Sequence, residues 1–165
     1  MKDDQFILEM KCEDPENRAT FGKATATSEF KKDVAGNVLD GYARTLKNGP
    51  SRIWISDPSQ KLPQSIRVDM PSADEIGEVR VTFDSDFFIS PKWVKHVVPK
   101  TLVKSYVLEI SPDGVNWESV ADVKDSCRRL AIHRFPVRKV SAVRLTVRET
   151  WGDPSARVFE IKCYK

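Results

Sequence analysis

The fold class is decided by residues 103–120, whose sequence is VKSYVLEISPDGVNWESV. Apolar side chains alternate along its first half at Tyr106, Leu108 and Ile110, which is typical of a half-buried β-strand. Asp113-Gly114 is a strong tight-turn signal, because glycine accepts the positive backbone φ that such turns need. The segment therefore predicts an antiparallel hairpin whose second strand spans residues 117–123.

The same alternation recurs on both sides of this hairpin. Ten prolines and seven glycines separate the alternating runs, and no long amphipathic helix pattern interrupts them. The runs cover residues 66–70, 79–83, 126–135, 142–149 and 157–164. Together with the hairpin they predict an all-β sandwich of about eight antiparallel strands in two sheets.

Length and charge limit the classes of protein. The 165 residues suit one domain, for which we expect a leader or linker over residues 1–20 and a single sandwich over residues 21–165. A net charge of +3, from 27 basic and 24 acidic residues, lacks the concentrated basic stripe of a nucleic-acid binder. Apolar stretches fall far below the ~20 residues that cross a bilayer, and the opening MKDDQF lacks the pattern of a signal peptide.

The three cysteines predict no metal or disulfide framework, because they are odd in number and contain no C-x-x-C. A bridge from Cys12 to Cys163 would join the two ends of the domain, but three reduced thiols that are partly buried are the simpler expectation.

No catalytic arrangement is visible. Neither histidine lies in H-E-x-x-H, and there is no G-x-S-x-G, so we expect no enzyme activity from this chain. No glycine-rich phosphate loop is present, which predicts that the chain has no FAD or other nucleotide site. The acidic pair Asp84 and Asp86 is more typical of a solvated turn than of acid–base catalysis.

Two groups of residues predict binding. Asp40-Gly41, with Asn37 and Thr45 close by, offers oxygen ligands in an irregular turn that suits calcium, and Glu160 could add a further acid. Such turns also occur without metal. We expect Trp54 and Trp117 in the core. Other aromatic and polar residues fall in loops, where such side chains commonly bind sugars or protein partners. The candidate ligand contacts are Arg52, Asp84, Asp86, Trp93, His96 and Trp151.

From about residue 20 to its end, the chain resembles the discoidin, or coagulation-factor type C, domain. The resemblance rests on the order of its segments, and most specifically on the Ser-Pro-Asp-Gly-x-x-Trp turn and the closing Ala-x-x-x-Glu-Ile. The segments are ATATSE (24–29), NVLDG (37–41), RIWIS (52–56), QSIRVDM (64–70), residues 103–120, VRLTV (143–147) and ARVFEIKCY (156–164). The resemblance implies the galactose-binding-like jelly roll that many bacterial carbohydrate-binding modules share.

A closer likeness is to the version of this domain at the C-terminus of bacterial FAD-dependent oxidoreductases. This closer likeness rests on four segments that recur together in that version: RIWISDPSQKLPQSIRVDM, VKSYVLEI, RLAIHRFPVRKVSAVRLTV and SARVFEI. The likeness implies an accessory domain whose FAD-binding part lies elsewhere in a longer protein. A signal peptide on that parent would favour the periplasm or secretion, and the oligomeric state is left open.

Carried over residue by residue, the resemblance implies a structural calcium ion. Asp40 and Glu160 match its acidic ligands. The positions that usually contribute backbone carbonyls are matched by Asn37, Tyr42 and Thr45.

The sugar-binding positions match less well. Ile55 and Asp84 stand where galactose-type members have a polar residue and an arginine, while Trp151 matches a position that often stacks on sugar. We therefore expect a glycan or polysaccharide other than galactose.

The alternative is a structural docking domain without a soluble ligand. In that case the connection 84–102, with Phe87, Phe88 and Trp93, would contact the parent enzyme or another subunit.

Overall fold

The computed structural model describes residues 11–45, 49–86 and 98–165 of the chain. This part of the protein is all-β, as the alternating pattern predicts, and its two helical segments are short 3-10 turns at Ala35–Leu39 and Pro58–Gln60. Its strands are β1 (Lys23–Ala26), β2 (Trp54–Ile55), β3 (Gln64–Phe83), β4 (Val103–Ser111), β5 (Glu118–Val123), β6 (Leu130–Thr150) and β7 (Arg157–Tyr164).

Two long strands, β3 and β6, run through both layers of the sandwich. Their halves at residues 64–69 and 142–147 pair with each other, flanked by β1 on one side and by β4 and β5 on the other. Their halves at residues 78–83 and 130–134 also pair, followed by β7 and β2. Register shifts between Asp69 and Asp74 and between Ile76 and Glu78 mark the bend. The antiparallel sandwich is confirmed, but two pairs of expected strands are each continuous.

The core lies between the layers. Tyr106, on β4 in the first layer, places its ring centroid 5.1 Å from that of Phe83 and 5.7 Å from that of His133, both in the second layer. Trp54 is fully buried, as predicted, and its indole N–H donates to the Ser28 carbonyl at 2.9 Å. The period-two alternation thus places one face of each layer in the core.

The predicted hairpin forms, but its tryptophan lies outside the core. Gly114 has φ +77°, and the Arg67 guanidinium donates to its carbonyl at 3.0 Å. Trp117 is partly buried on the outer face of the first layer, 5.2 Å from the guanidinium of Arg67 and 4.2 Å from that of Arg144. The core prediction for Trp117 is wrong because the turn delivers the ring to the outer face, where cation–π contacts cover it.

Residues 11–20 lie along β7. The Arg18 N–H donates to the Cys163 carbonyl at 2.9 Å, and the Cys163 N–H donates to Asn17 Oδ1 at 2.9 Å. The Tyr164 hydroxyl donates to Asp14 Oδ2 at 2.6 Å. The division between a leader and the domain at residue 20 stays a prediction. Residues 1–10, the first half of the predicted leader, lie outside the described residues.

The thiols of the described residues are free. Cys163 is buried, whereas Cys12 and Cys127 are exposed, so no bridge joins Cys12 to Cys163. No helix within residues 11–45, 49–86 and 98–165 is long and apolar enough to cross a membrane.

Candidate functional site

One candidate site lies where β3 ends and β7 begins. Arg157 Nη2 is 2.9 Å from Asp153 Oδ2, and Arg157 Nη1 is 3.7 Å from Asp84 Oδ2. The other Asp84 oxygen accepts the N–H of Asp86 at 3.0 Å, in a turn where Asp86 has φ +47°. The structure therefore brings the two predicted acids together, but it holds Asp84 in an ion pair.

A pocket of about 350 Å³ opens beside this ion pair, and we call it the loop pocket. Its walls combine one aromatic ring with two acids and a guanidinium. It is lined by Phe30, Asp33, Ile55, Pro58, Asp153, Pro154, Ser155 and Arg157. An apolar surface with a few convergent polar groups is the usual make-up of a small-molecule site.

Trp151, the predicted stacking residue, is half-buried in the loop that precedes β7. Its indole N–H donates to the Ser126 carbonyl at 2.7 Å, and Lys104 Nζ lies 5.3 Å from its ring centroid. Its polar atom is thus already used by the protein. Trp93 and His96 lie outside the described residues, so their place in a site stays a prediction.

Arg52, the remaining predicted contact, lies in a second and larger cleft. Its guanidinium stands 3.8 Å from the ring centroid of Tyr42. This cleft, of about 1030 Å³, runs between residues 11–21, residues 38–42 and the outer face of β7. The structure therefore places Arg52 with the predicted metal ligands rather than with Trp151.

Asp40 and Glu160 form a carboxylate pair in this larger cleft. Burial raises the pKa of Asp40, the N–H of Tyr42 and the charge of Arg52 oppose that shift, and the nearby charge of Glu160 adds to it. Thr82 Oγ1 donates to Glu160 Oε2 at 3.4 Å. Within the described residues, Asp40 Oδ2 and Glu160 Oε1 are buried without a hydrogen-bond partner.

The other three predicted ligands, Asn37, Tyr42 and Thr45, each make a hydrogen bond to Asp40 or to Arg52. The Asn37 carbonyl accepts the Asp40 N–H at 3.3 Å, closing a 3-10 turn. The Tyr42 N–H donates to Asp40 Oδ1 at 2.9 Å, and Thr45 Oγ1 accepts the Arg52 N–H at 3.2 Å. No group of three or more acidic, histidine or cysteine side chains that could hold a metal occurs in the part of the chain that the structure describes. The calcium ion stays a prediction.

The half-buried Arg129 interacts with one acid near each site. Burial is the main cause that lowers its pKa, the charge of Arg44 acts in the same direction, and the carboxylates of Asp84 and Glu160 oppose both. Its guanidinium donates to the carbonyl of Ala43. The charge of Arg129 thus acts both on Asp84, beside the loop pocket, and on Glu160, in the larger cleft.

Several charged residues in or near these sites were not predicted, among them Asp33, Asp153, Arg157, Arg129 and Lys162. Three of them carried a usable signal. Asp153 precedes Arg157 by four residues at the start of a strand, and Lys162 shares a strand face with Glu160 because it follows by two positions. Arg129 contacts residues that are distant in the chain, so no local pattern could indicate it.

Comparison with known proteins agrees with this architecture. The family model described as the F5/8 type C domain matches residues 23–161. No curated protein matches the chain.

Three solved structures illustrate the likeness in fold. CpGH89CBM32-5 from Clostridium perfringens, in complex with GalNAc-β-1,3-galactose, is 24% identical with a TM-score of 0.69 over 90% of this chain and 98% of its own. The family 32 module of NanJ from Clostridium perfringens, in complex with galactose, is 20% identical with a TM-score of 0.69 over 90% and 96%. Chitosan-binding module 2 from Paenibacillus sp. IK-5, in complex with chitotriose, is 17% identical with a TM-score of 0.70 over 90% and 100%. With the family match over most of its length, this chain belongs to the F5/8 type C domain family.

Proposed function

We propose that this chain is a non-catalytic carbohydrate-binding module and that the loop pocket receives the sugar. The observation that carries the proposal is the Phe30 ring beside Asp33, Asp153 and Arg157 in one pocket. An aromatic face covers the apolar face of a pyranose ring, while charged oxygens and guanidinium N–H groups bind its hydroxyls. Structural neighbours that bind galactose, GalNAc-β-1,3-galactose and chitotriose support the ligand class.

The walls of the loop pocket argue against galactose itself. Ile55 contributes an apolar wall where galactose-type members have a polar residue, and Asp84, which stands where they have an arginine, pairs with Arg157 beside the pocket. Specific sugar hydroxyls are selected by groups that would otherwise be left unpaired. Asp153 pairs with Arg157, and Asp33 accepts a hydrogen bond from Ser51. We therefore expect a glycan whose hydroxyl groups compete for these two carboxylates and whose apolar face meets Phe30.

The test is calorimetric titration with oligosaccharides from a glycan array, with galactose and chitotriose included as probes. Phe30→Ala should weaken the best ligand about tenfold, because the stacking face is removed. Phe21→Ala is the matched control, since Phe21 is 88% exposed and lines the larger cleft instead. No sugar response on the array, or equal losses in both variants, would remove the loop pocket as the site.

Docking on a parent protein is the second candidate, and one observation favours it. The first half of β6 exposes Leu130, Ile132 and Val137 at 48%, 43% and 52% of their surface. Exposed apolar side chains along one strand are more typical of a contact surface than of a free module. That the parent is an FAD-dependent oxidoreductase is itself a proposal. Crosslinking in the full-length protein tests the docking proposal. Absence of any crosslink to the first half of β6 would contradict docking.

A further inference from the structure

Two basic side chains face the carboxylate pair in the larger cleft. Arg52 Nη1 lies 3.6 Å from Asp40 Oδ2, and Lys162 Nζ lies 3.1 Å from Glu160 Oε1. These are the same two oxygens that lack a hydrogen-bond partner within the described residues. Each cation therefore makes a charge contact with the oxygen that a metal ion would need.

Both cations are held in place by their surroundings. The Arg52 side chain is 23% exposed, and its guanidinium is stacked on the Tyr42 ring. Lys162 is only 16% exposed, and it follows Glu160 by two positions in β7, so both side chains project from the same face of the strand. A flexible surface lysine or arginine would leave such a pair at little cost, but these two are partly enclosed.

The loop carbonyls near the pair are also engaged. The Gly41 carbonyl accepts the Cys12 N–H at 2.9 Å, and the Ala43 carbonyl accepts the guanidinium of Arg129. Calcium takes six to eight oxygen ligands, of which several usually carry charge. Here the donors are right in kind, but the chain already supplies positive partners to most of them.

We propose that Arg52 and Lys162 take the place of a divalent cation at the Asp40–Glu160 pair, so that calcium reaches the pair only in competition with them. Two positive charges balance two negative charges. A calcium ion that entered would add two further charges within a few ångströms of both cations, or would have to displace them. The loop 37–45 and β7 are thereby held together without a metal.

The experiment compares calcium binding by the wild-type domain and by the Arg52→Gln variant. Each protein is stripped with a chelator and then titrated with calcium chloride, followed by thermal unfolding and by calorimetry. We expect little rise in the wild-type melting temperature at about 1 mM calcium, the range in which extracellular calcium modules bind. Arg52→Gln should bind calcium at least about tenfold more tightly, because one competing charge is gone.

Four further variants make the result specific. Arg52→Lys keeps the charge and should respond as weakly as the wild type. Arg148→Gln removes an exposed arginine that pairs with Asp122 at 2.9 Å elsewhere on the surface, and it should change nothing. Lys162→Gln removes the cation that faces the pair from β7, and it replaces Arg52→Gln as the test variant if Arg52→Gln does not fold. Asp40→Asn, added to Arg52→Gln, should abolish the gained response.

Two outcomes overturn the proposal. One is tight calcium binding by the wild type that Arg52→Gln leaves unchanged, because the ion and the cations would then coexist. The other is no calcium response in Arg52→Gln or in Lys162→Gln when both fold, because basic side chains would then not be what excludes the ion. Neither result depends on which sugar the loop pocket binds.

Discussion

Asn17 offers a direct test of whether residues 11–20 are part of the folded domain. Its Oδ1 accepts the N–H of Cys163 at 2.9 Å and the N–H of Ala19 at 3.1 Å. Cys163 is fully buried, so Asn17→Ala leaves its N–H without an acceptor. An unsatisfied buried donor costs about 1–3 kcal/mol, and the second hydrogen bond adds about 0.5–1.5 kcal/mol. We expect a loss of about 2 kcal/mol in the free energy of unfolding.

The assay is urea unfolding followed by circular dichroism, with thermal unfolding in parallel. For a domain of this size, 2 kcal/mol corresponds to a fall of about 4–8 °C in Tm. Asn17→Asp keeps an oxygen at the same position and should recover most of the loss. If Asn17→Ala stays within about 0.5 kcal/mol of the wild type, the ordinary range for surface substitutions, the segment is a leader that does not contribute to folding.

Three further predictions address stability. Burial lowers the pKa of His133, whose Nε2 lies 3.0 Å from the Tyr106 hydroxyl, so the unfolded chain binds a proton more readily. The free energy of unfolding should fall as pH drops below about 6.5, and His133→Gln should flatten that slope in urea titrations at several pH values; an unchanged slope contradicts this origin. Gly114→Ala should cost about 1–3 kcal/mol, because φ is +77° and the new Cβ would lie 2.7 Å from Arg67 Nη2; a neutral result would mean that the turn adapts. Leu108→Ala should cost about 2–5 kcal/mol by calorimetric unfolding, because the side chain is fully buried, and a loss below 1 kcal/mol would show that the core collapses onto the cavity.

The fold follows from local patterns to a large extent. Alternation at residues 103–110 and the Asp113-Gly114 turn predict β4 and its hairpin partner because both signals are local. The bends in β3 and β6 are different. The polar stretch that includes Pro71 and Asp74 resembles a loop in sequence, yet pairing across the bulge keeps the strand continuous.

The candidate site was only partly predictable. Asp40 and Glu160 could be paired because the resemblance carries their positions, and the structure places them together. Contacts of Arg52 with Asp40 and of Arg129 with Ala43 depend on loop paths, which no periodicity specifies. The half-burial of Trp151 likewise depends on the Ser126 carbonyl of a distant loop.

The passage of β3 and β6 through both layers bears on how a ligand would be received. Because each long strand is hydrogen-bonded in the two layers, neither layer can tilt or open without breaking the pairing of the other. The two layers of the sandwich should therefore unfold together as one cooperative unit and not separately. Of the residues that line the loop pocket, Arg157 begins β7, which pairs with β3, whereas Phe30 and Asp153 lie in the loops beside it. If the loop pocket is the sugar site proposed above, the strand-borne Arg157 should need little ordering on binding, and any free energy spent on ordering the protein should fall on the loops that carry Phe30 and Asp153.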